Sequence, residues 1–176
     1  TQTYFNTGSY WDRKGLLFTV YTNHDLFWDD FALISDTPLR RIKDALYVYL
    51  YLNKDARDDA GGYLRKIMSD ESDESLYKEM YKSVEGYLSG FDYATYNRVL
   101  YDAPVIGRHR EDVISDLERE YDEKVMKQGI GVLLRQYGVN YLVWDKNLEP
   151  EWDLSIVKDK EELRVSNNIY LYSLRY

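Results

Sequence analysis

Apolar residues recur at helical spacing through the middle of the chain, and this pattern predicts helices there. The clearest predicted helix covers residues 110–126, where apolar residues four positions apart face one side and charged residues face the other. Its apolar positions are Val113, Leu117, Tyr121 and Val125. Residues 76–88 carry a similar stripe and form a second predicted helix. Residues 56–68 predict a weaker helix, because Gly61 and Gly62 interrupt it.

The run "TPLRRIKDALYVYLYLNK" contains signals for both a helix and a strand. Thr37 is a good N-cap residue and Pro38 suits the first helical position. The tail also alternates with a period of two, which would place Tyr47, Tyr49 and Tyr51 on one face of a strand. The start signals are the more specific ones, so we predict a helix.

Towards the C-terminus the pattern changes from helical spacing to extended runs. Residues 130–138 predict a short helix that stops at Gly138, in the left-handed conformation that often ends a helix. Residues 139–145 are the best strand, and their apolar character on both faces predicts a strand covered on both sides. One predicted face holds Val139, Tyr141 and Val143, and the other holds Leu142 and Trp144.

Three further strands are predicted near the two ends of the chain. Residues 163–166 and 169–176 flank "NN" at 167–168, which predicts a hairpin turn. Residues 15–22 are rich in β-branched and aromatic residues after a glycine, so they also predict a strand.

The remaining segments connect these elements. Residues 23–36 predict a loop with a short extended piece, residues 69–75 an acidic loop, and residues 98–106 an edge strand or extended loop. The sequence therefore predicts one α/β (or α+β) domain over residues 1–176. Its mixed sheet takes strands from both chain ends, and the helices in the middle pack on that sheet.

Composition narrows the classes of function. Apolar residues make up 44% of the chain, which predicts a globular fold, and 19 tyrosines make it unusually aromatic. The net charge of −8 argues against a nucleic acid partner, because phosphate contacts need clustered cations. The chain has no cysteine, which excludes disulfides and thiolate chemistry. It starts at Thr1 rather than Met, so we expect a fragment of a larger protein.

An acidic loop follows the strand at 139–145 and is the first candidate for a site. Its carboxylates are Asp145, Glu149, Glu151 and Asp153. The segment partly imitates the start of a calcium-binding loop, but Pro150 occupies the position of the sharp-turn glycine and the terminal Glu is missing. We therefore predict a solvated loop without a metal, and Asp145 remains a candidate ligand-binding residue.

The second candidate is a basic cluster of Arg108, His109 and Arg110, the densest in this acidic chain. We expect it just before a helix start, where backbone donors and guanidinium groups can hold a phosphate or carboxylate. The alternative is local ion pairing with Glu111, Asp112 or other acids.

The third candidate is His24 with its acidic neighbours Asp25, Asp29 and Asp30. A His–Asp pair can orient a general base or begin a metal site. The chain has only two histidines, so a His-rich zinc site is excluded, and no nucleophile can be identified nearby. No cofactor-binding motif is present, and we predict no cofactor.

Two stretches resemble a known family. The run "EREYDEKVMKQGIGVLLRQYGVNYLVWDKNLEPEWDL" with the later "NNIYLYSL" resembles the C-terminal tail of polytopic bacterial membrane proteins of the GT-C glycosyltransferase type. Upstream, "VYTNHDLFWDDFALISDTPLRRIKDAL" resembles the segment that follows their last membrane helices. Asn23 and His24 match a turn that can face the membrane in that family, although Asn23 stands where glycine is commoner.

The resemblance implies an extracytoplasmic domain at the face of the cell membrane. Its partner would be the membrane-embedded part of the same parent chain, with a carbohydrate or lipid-phosphate ligand nearby. The catalytic acids of family members usually lie in loops between membrane helices, so this domain would help to position an acceptor or donor. The alternative is a freestanding α/β binding or interaction module whose ligand is unknown.

Overall fold

The computed structural model describes residues 2–5, 25–28, 38–73, 75–88 and 106–175. Within these ranges the helices are α1 Leu39–Leu52, α2 Ala60–Ser69, α3 Leu76–Leu88, α4 Ile106–Tyr121 and α5 Ile130–Gln136. The strands are β1 Gln2–Phe5, β2 Asp25–Trp28, β3 Val139–Asp145, β4 Lys160–Ser166 and β5 Ile169–Leu174. A π-helical segment, Asp122–Met126, continues α4, and a 3₁₀ turn covers Leu154–Ile156.

The five strands form one mixed sheet in the order β2-β1-β3-β5-β4. β1 pairs in parallel with both β2 and β3, whereas β5 pairs antiparallel with β3 and β4. The prediction of an α/β fold with strands from both chain ends is confirmed. β1 was not predicted, and β2 is the short extended piece expected within 23–36. The strand predicted at 15–22 lies outside the described residues.

The β4–β5 hairpin turns where the two asparagines predicted it. Asn167 and Asn168 have φ of 52° and 64°. Positive φ at both central residues is typical of a type I′ turn, whose twist matches that of the strands it joins. Asn tolerates this conformation better than most residues do. The strand before the turn begins at Lys160, three residues earlier than predicted, and β5 ends at Leu174.

The predicted double coverage of β3 is confirmed, but one of its predicted faces is wrong. Leu142 and the adjacent Val143 are 1% and 6% exposed, so both sides of the strand are covered. Val139 belongs to the same core cluster as Leu142, although alternation alone would place these two residues on opposite faces. The β1–β3 pairing shifts register between Val139 and Tyr141, because Asn140 is an extra residue in β3.

One hydrophobic core joins the helices to the sheet. It includes residues from α1 to α5 together with Val139, Leu142, Tyr172 and Leu174 of the sheet. Tyrosine contributes heavily, since Tyr47, Tyr49, Tyr81 and Tyr121 are among the largest fully buried side chains. Much of the unusual tyrosine content therefore serves packing, and the hydroxyl groups of Tyr47, Tyr81 and Tyr121 donate hydrogen bonds inside the protein.

Tertiary packing settles the ambiguous segment at 38–52 as a helix. α1 is buried almost all round, which explains why its tail shows strand-like alternation as well as helical spacing. Pro38 lies at the N-cap with φ −57° and ψ 136°, one residue before the position predicted for it. Thr37 lies outside the described residues.

Two other helix boundaries differ from the prediction. α4 begins at Ile106 rather than at residue 110, so Ile106 is helical and not part of an extended segment. The glycine pair does not interrupt a helix, because α2 begins at Ala60 and both glycines lie in its first turn. There the Asp59 carboxylate accepts a hydrogen bond from the Gly62 N–H at 2.9 Å and caps the helix.

Candidate functional site

The His24 cluster cannot be placed. Asn23, His24, Asp29 and Asp30 lie outside the described residues, and only the backbone of Asp25 is described, at the start of β2. The predicted roles of Asn23 and His24 stay predictions.

The basic cluster lies inside the first turns of α4, which corrects the prediction that it precedes a helix. The side chains of Arg108 and His109 are outside the described part of the chain. Arg110 is half-buried, and its Nε lies 3.7 Å from a carboxylate oxygen of the fully buried Glu85 on α3. Arg110 thus takes part in ion pairing with a neighbouring helix, which favours the alternative interpretation for this residue.

Asp145 shapes the turn that leaves the sheet. Its carboxylate accepts hydrogen bonds from the backbone N–H and the side-chain amide of Asn147, at 3.0 and 3.2 Å. Its backbone carbonyl accepts from the N–H groups of Leu148 and Glu149. An Asp that bonds to the backbone two residues ahead is a common turn device. These contacts explain Asp145 as a structural residue.

The other acids of the loop bind the region just after α1. Glu151 forms an exposed ion pair with Lys54 at 2.7 Å. Asp153 lies 3.3 Å from the guanidinium of Arg57, and it accepts two hydrogen bonds from Ser155, which together with Arg57 lower the pKa of its carboxyl. Within the described ranges, no group of three His, Cys, Asp or Glu residues is arranged to hold a metal ion.

Glu149 approaches a buried polar centre at Tyr77. The Tyr77 hydroxyl accepts hydrogen bonds from the Trp152 indole N–H at 2.8 Å and from the Asn53 amide at 3.3 Å. The same hydroxyl donates to Glu149 at 3.5 Å. We call these four residues the Tyr77 hub; they join the end of α1, helix α3 and the loop after β3. The loop is therefore attached to the core rather than simply solvated.

A cleft that no sequence motif indicated lies between α5, the segment after the 3₁₀ turn and the end of β5. Its volume is about 310 Å³, at the lower end of the range for small-ligand pockets. Residues 128–132, 134–135, 156–159 and 174–175 line it, together with Tyr51 of α1. We call it the α5 cleft.

The floor of the α5 cleft is apolar and its rim is mainly cationic. Buried Ile130, Leu134, Val157 and Leu174 form the floor. The charged lining residues are Arg135, Lys158, Arg175 and Asp159, and all four are exposed. Among the described residues, three cations and one carboxylate line the rim, and Arg175 also pairs with Glu161, so the rim keeps a small positive charge on a chain whose net charge is −8. Such a rim attracts anions over the short distances that salt leaves unscreened.

The backbone around the cleft has two special positions. A Cβ added to Gly131, inside α5, would meet no atom of the described residues within 4 Å beyond its chain neighbours and its own helix backbone, so this glycine leaves open space in the cleft. Asp159 has φ 55°, a conformation that few non-glycine residues adopt, and its carbonyl accepts a hydrogen bond from the Arg175 N–H at 2.7 Å. That bond connects the segment after the 3₁₀ turn to the end of β5.

A partly buried ionic network holds α5 against α1 and α4, behind the cleft. The fully buried carboxylate of Asp44 accepts from Lys124 at 3.0 Å and from the Tyr137 hydroxyl at 2.7 Å. Burial, followed by this bond to Asp44, raises the pKa of Tyr137 to about 12. Burial alone would raise the pKa of Glu120, but hydrogen bonds from Lys43 and Tyr47 outweigh it and lower that pKa. The network fixes the helix that forms one wall of the cleft.

Aromatic residues of β3 and β5 pack against one another. Trp144 stacks on Tyr170 with ring centroids 5.0 Å apart, and Tyr170 lies parallel to Tyr172 at 6.2 Å. Lys146 and Lys160 approach the outer rings of this row at 5.9 Å each. These ring contacts stabilise the sheet, and they explain the aromatic run of β5 without a sugar ligand.

Comparisons with known proteins give no family. A scan against protein-family models found no match, and searches of curated proteins and of solved structures found none either. Among the helices in the described ranges, none combines the length and the apolar character needed to cross a membrane. The function proposed below therefore rests on the fold and on the α5 cleft.

Proposed function

We propose that this chain is an accessory, ligand-binding domain of a glycosyltransferase-like membrane protein. It acts at the extracytoplasmic face of the membrane, beside the membrane-embedded part of its parent, and helps to position a sugar acceptor or a lipid-linked donor. The catalytic acids belong to the membrane part of the parent.

The α5 cleft is the observation that supports a binding role. It combines an apolar floor with a few polar groups at the rim, which is the usual make-up of a small-ligand site. The acids of the loop after β3 support a non-catalytic role, because Asp145, Glu149, Glu151 and Asp153 all contact structural partners.

The parent sequence tests the membrane part of the proposal. Upstream of Thr1 we expect several apolar segments of about 20 residues each, which is the length a helix needs to span a bilayer. A parent without such segments would contradict a membrane assignment. The cleft would then belong to a freestanding binding module, which is the alternative function.

A blocked cleft tests the binding role in the parent protein. Gly131→Leu places a side chain into the open space, whereas Gly131→Ala adds a single carbon there. We expect the leucine variant to transfer sugar from a labelled lipid-linked donor at least tenfold more slowly in membranes, and the alanine variant to lose less of its rate. Equal rates for both variants, with equal protein levels, would remove the cleft from the function.

A further inference from the structure

We propose that the α5 cleft binds an anionic amphiphile, a molecule with an apolar chain and one phosphate or carboxylate head group. This inference rests on the proposed binding role of the cleft, and it names the class of ligand that the cleft takes.

The apolar floor of the cleft favours a ligand with an apolar chain. Four buried aliphatic side chains form this floor, and the half-buried Tyr51 and Ile156 line its sides. The apolar area that a ligand can still cover belongs mainly to these two side chains and to the exposed Val132, and covering it favours an alkyl chain over a free sugar phosphate. A sugar ring would need hydrogen-bonding partners along that floor.

The rim selects a negative head group. Arg135, Lys158 and Arg175 come from three separate segments and line the same opening, where Asp159 is the one carboxylate among the described lining residues. Arginine favours planar or tetrahedral oxyanions because its guanidinium donates two parallel hydrogen bonds. The overall negative charge of the chain has little effect there, since salt screens charges beyond about 8 Å.

Arg175 can exchange its present partner for a ligand. Its guanidinium pairs with Glu161, but both side chains are largely exposed, at 72% and 50%. An exposed ion pair of this kind contributes little to stability. A head group in the cleft can therefore compete with Glu161 for the same guanidinium.

Gly131 supplies the room that the ligand needs. Glycine inside a helix is unfavourable relative to alanine, and packing among the described residues does not require it here, because an added Cβ meets none of their side chains within 4 Å. A ligand chain that lies against α5 explains why glycine rather than alanine occupies this position.

Titration calorimetry on the 176-residue chain tests the inference, after cooperative unfolding has shown that each variant is folded. The probes are octyl phosphate and octanoate, both below their micelle concentrations, which distinguish a phosphate from a carboxylate head. Octyl glucoside supplies a neutral head on the same chain, and inorganic phosphate supplies the head alone. We expect at least one anionic probe to bind at least tenfold more tightly than octyl glucoside and inorganic phosphate.

Matched variants locate the site. Lys158→Glu should weaken the anionic probe at least tenfold, whereas Lys66→Glu, the same charge change on the exposed surface of α2, should leave it within twofold. Gly131→Leu should abolish binding, because the leucine side chain occupies the space that the ligand chain needs.

Two results would contradict the inference, and they differ in whether the proposed binding role of the cleft remains. If octyl glucoside binds as tightly as the anionic probes, and Gly131→Leu blocks it while Lys158→Glu does not, the ligand is a neutral amphiphile and the binding role survives. If no probe binds, or if Gly131→Leu changes nothing, the cleft is not a ligand site and the proposed function fails with the inference.

Discussion

Replacing Tyr77 by phenylalanine removes one oxygen from the buried hub that attaches the acidic loop to the core. The aromatic ring stays, so its edge contacts with Tyr49 and Tyr63, each at a centroid distance of 5.4 Å, are expected to persist. What is lost is the acceptor for the Trp152 indole N–H at 2.8 Å and for the Asn53 amide at 3.3 Å. Both donors belong to buried residues, and water cannot easily replace the oxygen.

The size of the effect follows from those two bonds. A buried donor that loses its acceptor costs about 1–3 kcal/mol. The short bond from Trp152 belongs in the upper half of that range, and the longer bond from Asn53 belongs at its lower end. We therefore expect Tyr77→Phe to lower the free energy of unfolding by about 3 kcal/mol. For a chain of this size that corresponds to a fall in Tm of roughly 6–12 °C.

Urea unfolding followed by circular dichroism measures this change. The matched control is Tyr63→Phe, because the Tyr63 hydroxyl accepts from the same Asn53 amide at 3.4 Å but is only half-buried. We expect the control to lose less than about 1 kcal/mol. A loss below about 1 kcal/mol for Tyr77→Phe, with an unchanged denaturant slope, would refute the account of the hub as a buried, geometrically specific centre.

Two further predictions concern glycine and tyrosine. Gly131→Ala should raise the free energy of unfolding by about 0.5–1 kcal/mol, because the added Cβ meets open space in a helix. Gly138→Ala should lower it by about 1 kcal/mol, because φ is +63° at that position. The same sign for both variants in urea unfolding would contradict the assigned backbone conformations. Burial raises the pKa of Tyr63, Tyr137 and Tyr172 to about 12, so their contribution to stability is fully present below pH 10 and is lost as the pH rises through about 12. Spectroscopic titration should show these phenols ionising later than free tyrosine, and ionisation of every tyrosine near pH 10 in the folded protein would refute this.

The helices could be predicted because each needs one continuous apolar face to reach the core. Val113, Leu117 and Tyr121 of α4 are all buried, as their spacing predicts. The boundaries were less predictable, since α4 begins four residues before the predicted helix does. The register shift at Asn140 could not be predicted either, because it arises from pairing with β1, a strand more than a hundred residues away in the sequence.

The residues of the candidate site likewise divide into those that a local pattern indicated and those that only the tertiary structure brought together. Asp145 and Arg110 stood out as charged residues near element ends, and the structure gives both of them structural partners. The cleft residues Gly131, Lys158 and Arg175 had no distinguishing local pattern. Gly131 alone carried a weak signal, as a glycine within a helical segment.

The sequence by itself determined where chain segments are helical or extended and where they turn, because propensity, periodicity and positive-φ residues such as Gly138 and the Asn167-Asn168 pair act over a few neighbours. Tertiary structure decided which segments meet. The buried Asp44 reaches Lys124 and Tyr137 across 80 and 93 residues, and the cleft joins three segments around Tyr51. Local patterns cannot encode such meetings, since the free energy of a contact depends on packing that exists only once the whole core has formed.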